Sequence, residues 1–225
     1  MASERDRRLE RLAAARLYFV CEGLPGGRDP SPLLDAALRG GADLIQLREK
    51  AARCAEEVVS LADPFRRATA RHGALFLLND FPELVEACGA DGVHVGQEDT
   101  PVAEARRAAG PDALVGLSTH SAEELDAAES AAGDARPDQI SVGPIFETPT
   151  KEGRPATGLE LVEHAARSTT LPWFAIGGID ASTVGGVVGA GARRIVVVRA
   201  VRDAGDPEAA ARALRDALDL AVEVR

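Results

Sequence analysis

A chain of 225 residues is long for one ordinary domain but right for a single α/β barrel, and no composition shift or linker asks for a second domain. Its formal net charge of -10 argues against a general binder of nucleic acid or of anionic membrane, because both partners require a basic surface. Three cysteines, with no CxxC and no paired histidines, speak against a disulfide framework or a zinc site, so Cys21, Cys54 and Cys88 read as ordinary buried thiols.

Residues 1–15, MASERDRRLERLAAA, are charged and helical in pattern and lack the apolar core of a signal peptide. No later run approaches membrane-spanning length, and the expectation is a soluble cytoplasmic protein. A first strand is predicted over 16–22, followed by a Gly- and Pro-rich loop and a helix over 33–39 that Gly40 and Gly41 close. A second strand is predicted over 44–50 and a long helix over 54–72, in which Pro64 predicts a kink or a break. The alternation then continues with strands over 75–80, 92–95, 114–118, 139–142, 173–176 and 194–198. The helices between and after them are predicted over 83–88, 102–108, 122–131, 159–166, 182–189 and 207–222. Short apolar strands alternating with amphipathic helices mean parallel strands with helices outside. Eight such units at this length predict a single (β/α)₈ TIM barrel over 1–225, with 1–15 as an N-terminal helical extension. A doubly wound open sheet usually has fewer units, and no GxGxxG follows the first strand.

In such barrels the chemistry gathers at the carboxyl ends of the strands. On the second strand, LIQLREK, Ile45 and Leu47 share one face while Gln46, Arg48 and Lys50 share the other. Two cations and an amide in line suit a buried anion; they equally suit an edge strand with a solvated face and a surface ion pair through Glu49. Asn79 and Asp80 end the third strand, and Asp99 lies just beyond the fourth. Carboxylates at adjacent strand ends can share magnesium, which favours one or two carboxylates plus water and phosphate oxygens. The plainer readings are a turn at Asp80 before Pro82 and a helix cap at Asp99. Ser118 offers a hydroxyl at the mouth, Ser121 and Glu124 have capping-box spacing, and His120 reads as a loop histidine. The long loop after the sixth strand carries Thr148, Thr150 and Lys151, a set suited either to a phosphate under a lid or to a plain exposed loop. Gly177 and Gly178 after strand seven, and the turn at Val198 and Arg199 after strand eight, stand where barrels often bind phosphate.

The motifs QLREK, ND, ADGVHVGQED, GLSTH, VGPIFETPTK and AIGGI, in this order at successive strand ends, resemble those of the thiamine-phosphate synthase family from Leu17 to about Leu218. The resemblance implies a transferase that joins hydroxymethylpyrimidine diphosphate to a thiazole phosphate, giving thiamine monophosphate and pyrophosphate. It implies that Gln46, Arg48, Lys50, Asn79, Ser118 and Lys151 hold the pyrimidine diphosphate, within binding stretches that include Leu47, Glu49 and Pro149. It assigns Arg48, Lys50, Ser118 and Lys151 to catalysis, and Asp80 and Asp99 to the cofactor Mg²⁺. Thr148, Thr150, Gly178, Val198 and Arg199 would hold the thiazole phosphate. A dissociative displacement of this kind needs no protein nucleophile and no strong general base, in keeping with a chain that shows no triad. Arg199 departs from the family pattern, which often has a small hydroxyl residue there. Two alternatives stay open: a thiazole tautomerase, with His120 as acid/base, and a non-catalytic phosphate-ligand sensor on the same barrel. Homo-oligomerisation is left open as well.

Overall fold

The computed structural model describes residues 2–50, 54–148 and 155–223. Its strands are β1 (Leu17–Cys21), β2 (Leu44–Leu47), β3 (Leu75–Asn79), β4 (Gly92–Val95), β5 (Leu114–Thr119), β6 (Gln139–Val142), β7 (Trp173–Ile176) and β8 (Ile195–Val197). Each pairs in parallel with its neighbour in sequence, and β8 returns to β1 to close the barrel. Around it lie α2 (Ser31–Arg39), α3 (Ala55–His72), α4 (Val85–Cys88), α5 (Val102–Ala109), α6 (Ala122–Ser130), α7 (Gly158–Ser168) and α8 (Val184–Gly189). After β8 come α9 (Arg199–Arg202) and α10 (Pro207–Glu223), while α1 (Glu4–Ala14) precedes the barrel.

Strand alternation splits the core in two. Phe19, Ile45, Leu47, Phe76 and Val93 face outward and pack under the helices. Tyr18, Leu44, Leu77, Leu114 and Phe174 face inward and fill the barrel. Leu12 joins the inner cluster, so α1 stoppers the amino-terminal end with an apolar residue. Its start is held by a capping box in which Ser3 accepts from the Asp6 amide and Asp6 accepts from that of Ser3.

That same end carries a repeated polar lock. Asp43, Asp91 and Asp138 lie immediately before β2, β4 and β6, and each carboxylate accepts a backbone N–H from the strand before. Asp43 pairs with Arg215 at 2.9 Å, Asp91 with Arg8 at 3.0 Å, and Asp138 with Arg5 at 2.6 Å and Arg106 at 3.0 Å. Two of those arginines come from α1, so the extension is bonded to the barrel as well as packed on it.

Four sequence expectations need correction. β2 stops at Leu47, because its partners run out: Cys21 is the last residue of β1 to pair with it, and Arg48 closes the ladder with an N–H to Cys21 O bond of 2.9 Å. Arg48, Glu49 and Lys50 therefore stand in the loop. α3 runs unbroken through Pro64, its buried Val58, Ala62, Phe65 and Ala68 holding one face against the sheet. Cys21 and Cys88 are buried, but Cys54 is exposed. Finally, α9 adds a short turn of helix between β8 and α10 that the residue pattern did not indicate. Among the described residues, no helix is long and apolar enough to cross a membrane.

Candidate active site

Half of the polar residues singled out by sequence line one cavity of about 360 Å³ at the carboxyl ends of the strands. Gln46, Arg48, Asn79, Ser118, Thr148, Gly178, Val198 and Arg199 all line it. Leu47 does not: its side chain is buried in the outer core. Glu49 is turned toward the β1 loop, where it accepts from the Gly23 amide at 3.2 Å. Pro149, Thr150 and Lys151 lie outside the described residues.

The rim of the cavity beside Asn79 is where the acidic residues meet. Asp80 and Phe81 both have left-handed backbone, with φ of 58° and 55°. Aspartate tolerates that region, whereas for phenylalanine it is strained, and such strain is found preferentially at functional sites. The turn presents Asp80, whose Oδ2 accepts from Asn79 Nδ2 at 2.6 Å. Asp99 is not a helix cap: α5 begins with Pro101 at its cap position, and Asp99 Oδ2 instead accepts from the Gly96 amide at 2.7 Å. The Asp99 carboxyl stands near enough for its charge to bear on Asp80. Burial, and then the neighbouring Asp99 charge, push the Asp80 carboxyl up to about 6, while Lys50 and Arg48 pull it down.

Magnesium fits this donor set. Two hard oxygen donors repel each other when both are ionised, and a divalent cation between them relieves that repulsion. No larger group of metal-ligating side chains occurs among the described residues. The remaining positions would thus fall to water and phosphate, as magnesium prefers. Arg48, Lys50 and Arg199 make no salt bridge among the described residues, so their charges are available to an anionic ligand.

The far side of the cavity is shaped by glycine. Gly177 and Gly178 have φ of 104° and 66°. The loop after β6 lies against them, with Phe146 N donating to Gly177 O at 3.0 Å. A Cβ on Gly177 would sit 2.6 Å from Pro144 Cα, and one on Gly178 would sit 2.7 Å from Phe146 Cβ. These glycines therefore serve loop packing as well as ligand access. His120 joins the same loop, its Nδ1 donating to Gly143 O at 2.5 Å, while its backbone N–H is taken by Glu124. It acts as a tether between the β5 and β6 loops.

The floor joins Gln46 and Ser118 to three residues that sequence reasoning missed, Tyr18, His94 and Ser141. Gln46 Nε2 donates to the hydroxyl of buried Tyr18 at 2.5 Å. His94, only 7% exposed, has Nε2 3.0 Å from Ser118 Oγ and Nδ1 2.9 Å from Gln139 Nε2. Ser141 completes this group, 3.4 Å from Ser118. A signal for His94 and Ser141 was present. Gln46, His94 and Ser141 each follow one of the strand-leading aspartates Asp43, Asp91 and Asp138 at the same distance, and each points inward.

With this geometry, the likenesses to known proteins can be placed. A family model described as "Thiamine monophosphate synthase" matches residues 17–201. A thiamine-phosphate synthase of Arthrobacter sp. (strain FB24) is 46% identical over 92% of this chain and 96% of its own. That of Acidothermus cellulolyticus is 48% identical over 89% and 93%. The solved thiamine phosphate pyrophosphorylase of Pyrococcus furiosus superposes with a TM-score of 0.81 at 30% identity, covering 96% of this chain and 99% of its own. Barrel, motifs and relatives agree, and the chain belongs to the thiamine monophosphate synthase family of transferases.

Proposed function

We propose that this cavity joins hydroxymethylpyrimidine diphosphate to a thiazole phosphate, releasing pyrophosphate and forming thiamine monophosphate in the cytoplasm. The observation that carries the reading is the Asp80–Asp99 carboxylate pair set beside Arg48 and Lys50, at one rim of a cavity whose other end is Gly178, Val198 and Arg199. That arrangement offers two separate places for phosphoryl groups. Isomerisation of a single thiazole phosphate has no use for the carboxylate pair.

Magnesium held by Asp80 and Asp99 would supply positive charge to the diphosphate. Arg48 and Lys50 place further cationic charge where negative charge grows as the methylene carbon–oxygen bond breaks, and Lys151 is assigned the same task. Asn79 holds the diphosphate, while Gln46 and Ser118 hold the pyrimidine ring. The thiazole nitrogen then forms the new carbon–nitrogen bond, with its phosphate held by Thr148, Thr150 and the turn at Val198. Arg199 offers that phosphate a charged fork in place of a hydroxyl. Neither bond change calls for a protein nucleophile.

The test is a coupling assay on the purified full chain with both substrates, with and without magnesium. Thiamine monophosphate and pyrophosphate are expected in equal amounts, and only with the metal. Conversion of a thiazole phosphate alone, without coupling, would replace this reading by the tautomerase. Binding of phosphate ligands with neither activity would replace it by the sensor.

A further inference from the structure

We propose that His94 is a positioning residue, held by Gln139, that fixes the Ser118 hydroxyl as a hydrogen-bond donor into the cavity. The ligand ring must then present a lone-pair acceptor, such as an aromatic ring nitrogen, at that point. The ligand half of this inference rests on the pyrimidine reading above; the hydrogen-bond half rests on geometry alone.

The chain of bonds begins beneath the cavity. Gln139 is fully buried, and its Nε2 lies 2.9 Å from His94 Nδ1. An amide N–H directed at Nδ1 makes that nitrogen the acceptor, so in the neutral imidazole the proton sits on Nε2. In this orientation Gln139 Oε1 has no partner among the described residues. Turning the amide over would leave both of its N–H groups unpartnered instead, and buried N–H groups without partners are the rarer of the two. Gly116 makes the pairing sterically feasible: a Cβ there would lie 2.5 Å from His94 Nδ1 and would collide with Gln139 Nε2.

With its proton on Nε2, His94 donates to Ser118 Oγ at 3.0 Å. The hydroxyl of Ser118 is thereby an acceptor on its inner side. Its one proton must go elsewhere, and Ser141 Oγ lies 3.4 Å from both Ser118 Oγ and His94 Nε2, long for an O–H···O bond. Ser118 lines the cavity, and that is where the proton points. His94 thus reaches the ligand through Ser118, setting the polarity of a contact rather than doing chemistry itself.

Two measurements test this. Long-range ¹H–¹⁵N NMR of the ¹⁵N-labelled full chain reads the His94 tautomer directly. The proton is expected on Nε2; finding it on Nδ1 overturns the proposal, whether or not the chain couples the two substrates. The second is a double-mutant cycle. His94→Phe is expected to raise KM for the pyrimidine diphosphate about tenfold, the size of one lost oriented hydrogen bond, and to leave KM for the thiazole phosphate unchanged. His94→Gln, which keeps an N–H near the Nε2 position, should recover most of that loss. In a Ser118→Ala background the His94→Phe change should have less than about a twofold effect, because its route to the ligand is gone. Full additivity of the two substitutions would overturn the positioning role.

Discussion

The two ends of this barrel treat charge in opposite ways. At the amino-terminal end, Asp43, Asp91 and Asp138 each take a backbone N–H and an arginine, so every one of these carboxylates is satisfied inside the protein. At the carboxyl end, Asp80 and Asp99 are set against each other, and Arg48, Lys50 and Arg199 make no salt bridge among the described residues. Pairing a partly buried charge is what stability asks for, whereas placing like charges together is destabilising until a ligand or metal arrives. The closed end is built to hold the fold, and the open end, on the function proposed above, to take charged ligands.

Substitutions at the two ends should therefore separate activity from stability. The largest effect is expected at Asp80: Asp80→Ala should lower kcat by about 10³-fold, while thiazole-phosphate affinity measured by calorimetry changes little. Equal losses in both would undercut the metal role. The converse is expected at the closed end, where Asp138→Ala leaves Arg5, Arg106 and the Val115 amide without their carboxylate. Thermal or urea unfolding should show a loss of about 3 kcal/mol, with kcat unchanged in the protein that remains folded. A fall in kcat instead would mean that the ends are not independent.

Smaller effects sharpen the contrast. Because Asp80 is pushed up to about 6, a proton would compete below that pH with the magnesium proposed for this carboxylate. The apparent magnesium dissociation constant should rise as pH falls through 6, approaching about tenfold per pH unit, and be flat above 7. A flat profile on both sides of 6 would contradict the assignment. Arg199→Ala should weaken thiazole-phosphate binding about tenfold, and an unchanged constant would show that Arg199 does not touch the phosphate. The smallest effect is structural. Burial opposes ionisation of Glu129, but bonds from Thr169, Thr170, Leu171 and Arg136 outweigh it and hold its carboxyl down at about 2. A carboxylate lowered on folding stabilises above its ordinary value of 4.5, and that contribution is lost as pH falls from 4.5 toward 2. Glu129→Gln should therefore reduce stability at pH 7 by about 1 kcal/mol and flatten its acid dependence over this window, as followed by urea unfolding.

The sequence by itself determined the architecture and part of the cavity lining. Period-two strands and helical stripes follow from backbone geometry and need no knowledge of neighbours, so all eight strands could be read from the chain. Gln46, Asn79, Ser118 and Gly178 were placed correctly at strand ends for the same reason. Only the tertiary structure decided where β2 ends, because a strand is as long as its partners, and β1 stops at Cys21. It also decided that Asp99 bonds the Gly96 amide rather than capping a helix, and that His94 sits beneath Ser118. The β1–β2 pairing and the His94–Ser118 contact join residues on different strands, and their existence depends on barrel closure and register, which no local pattern of side chains encodes.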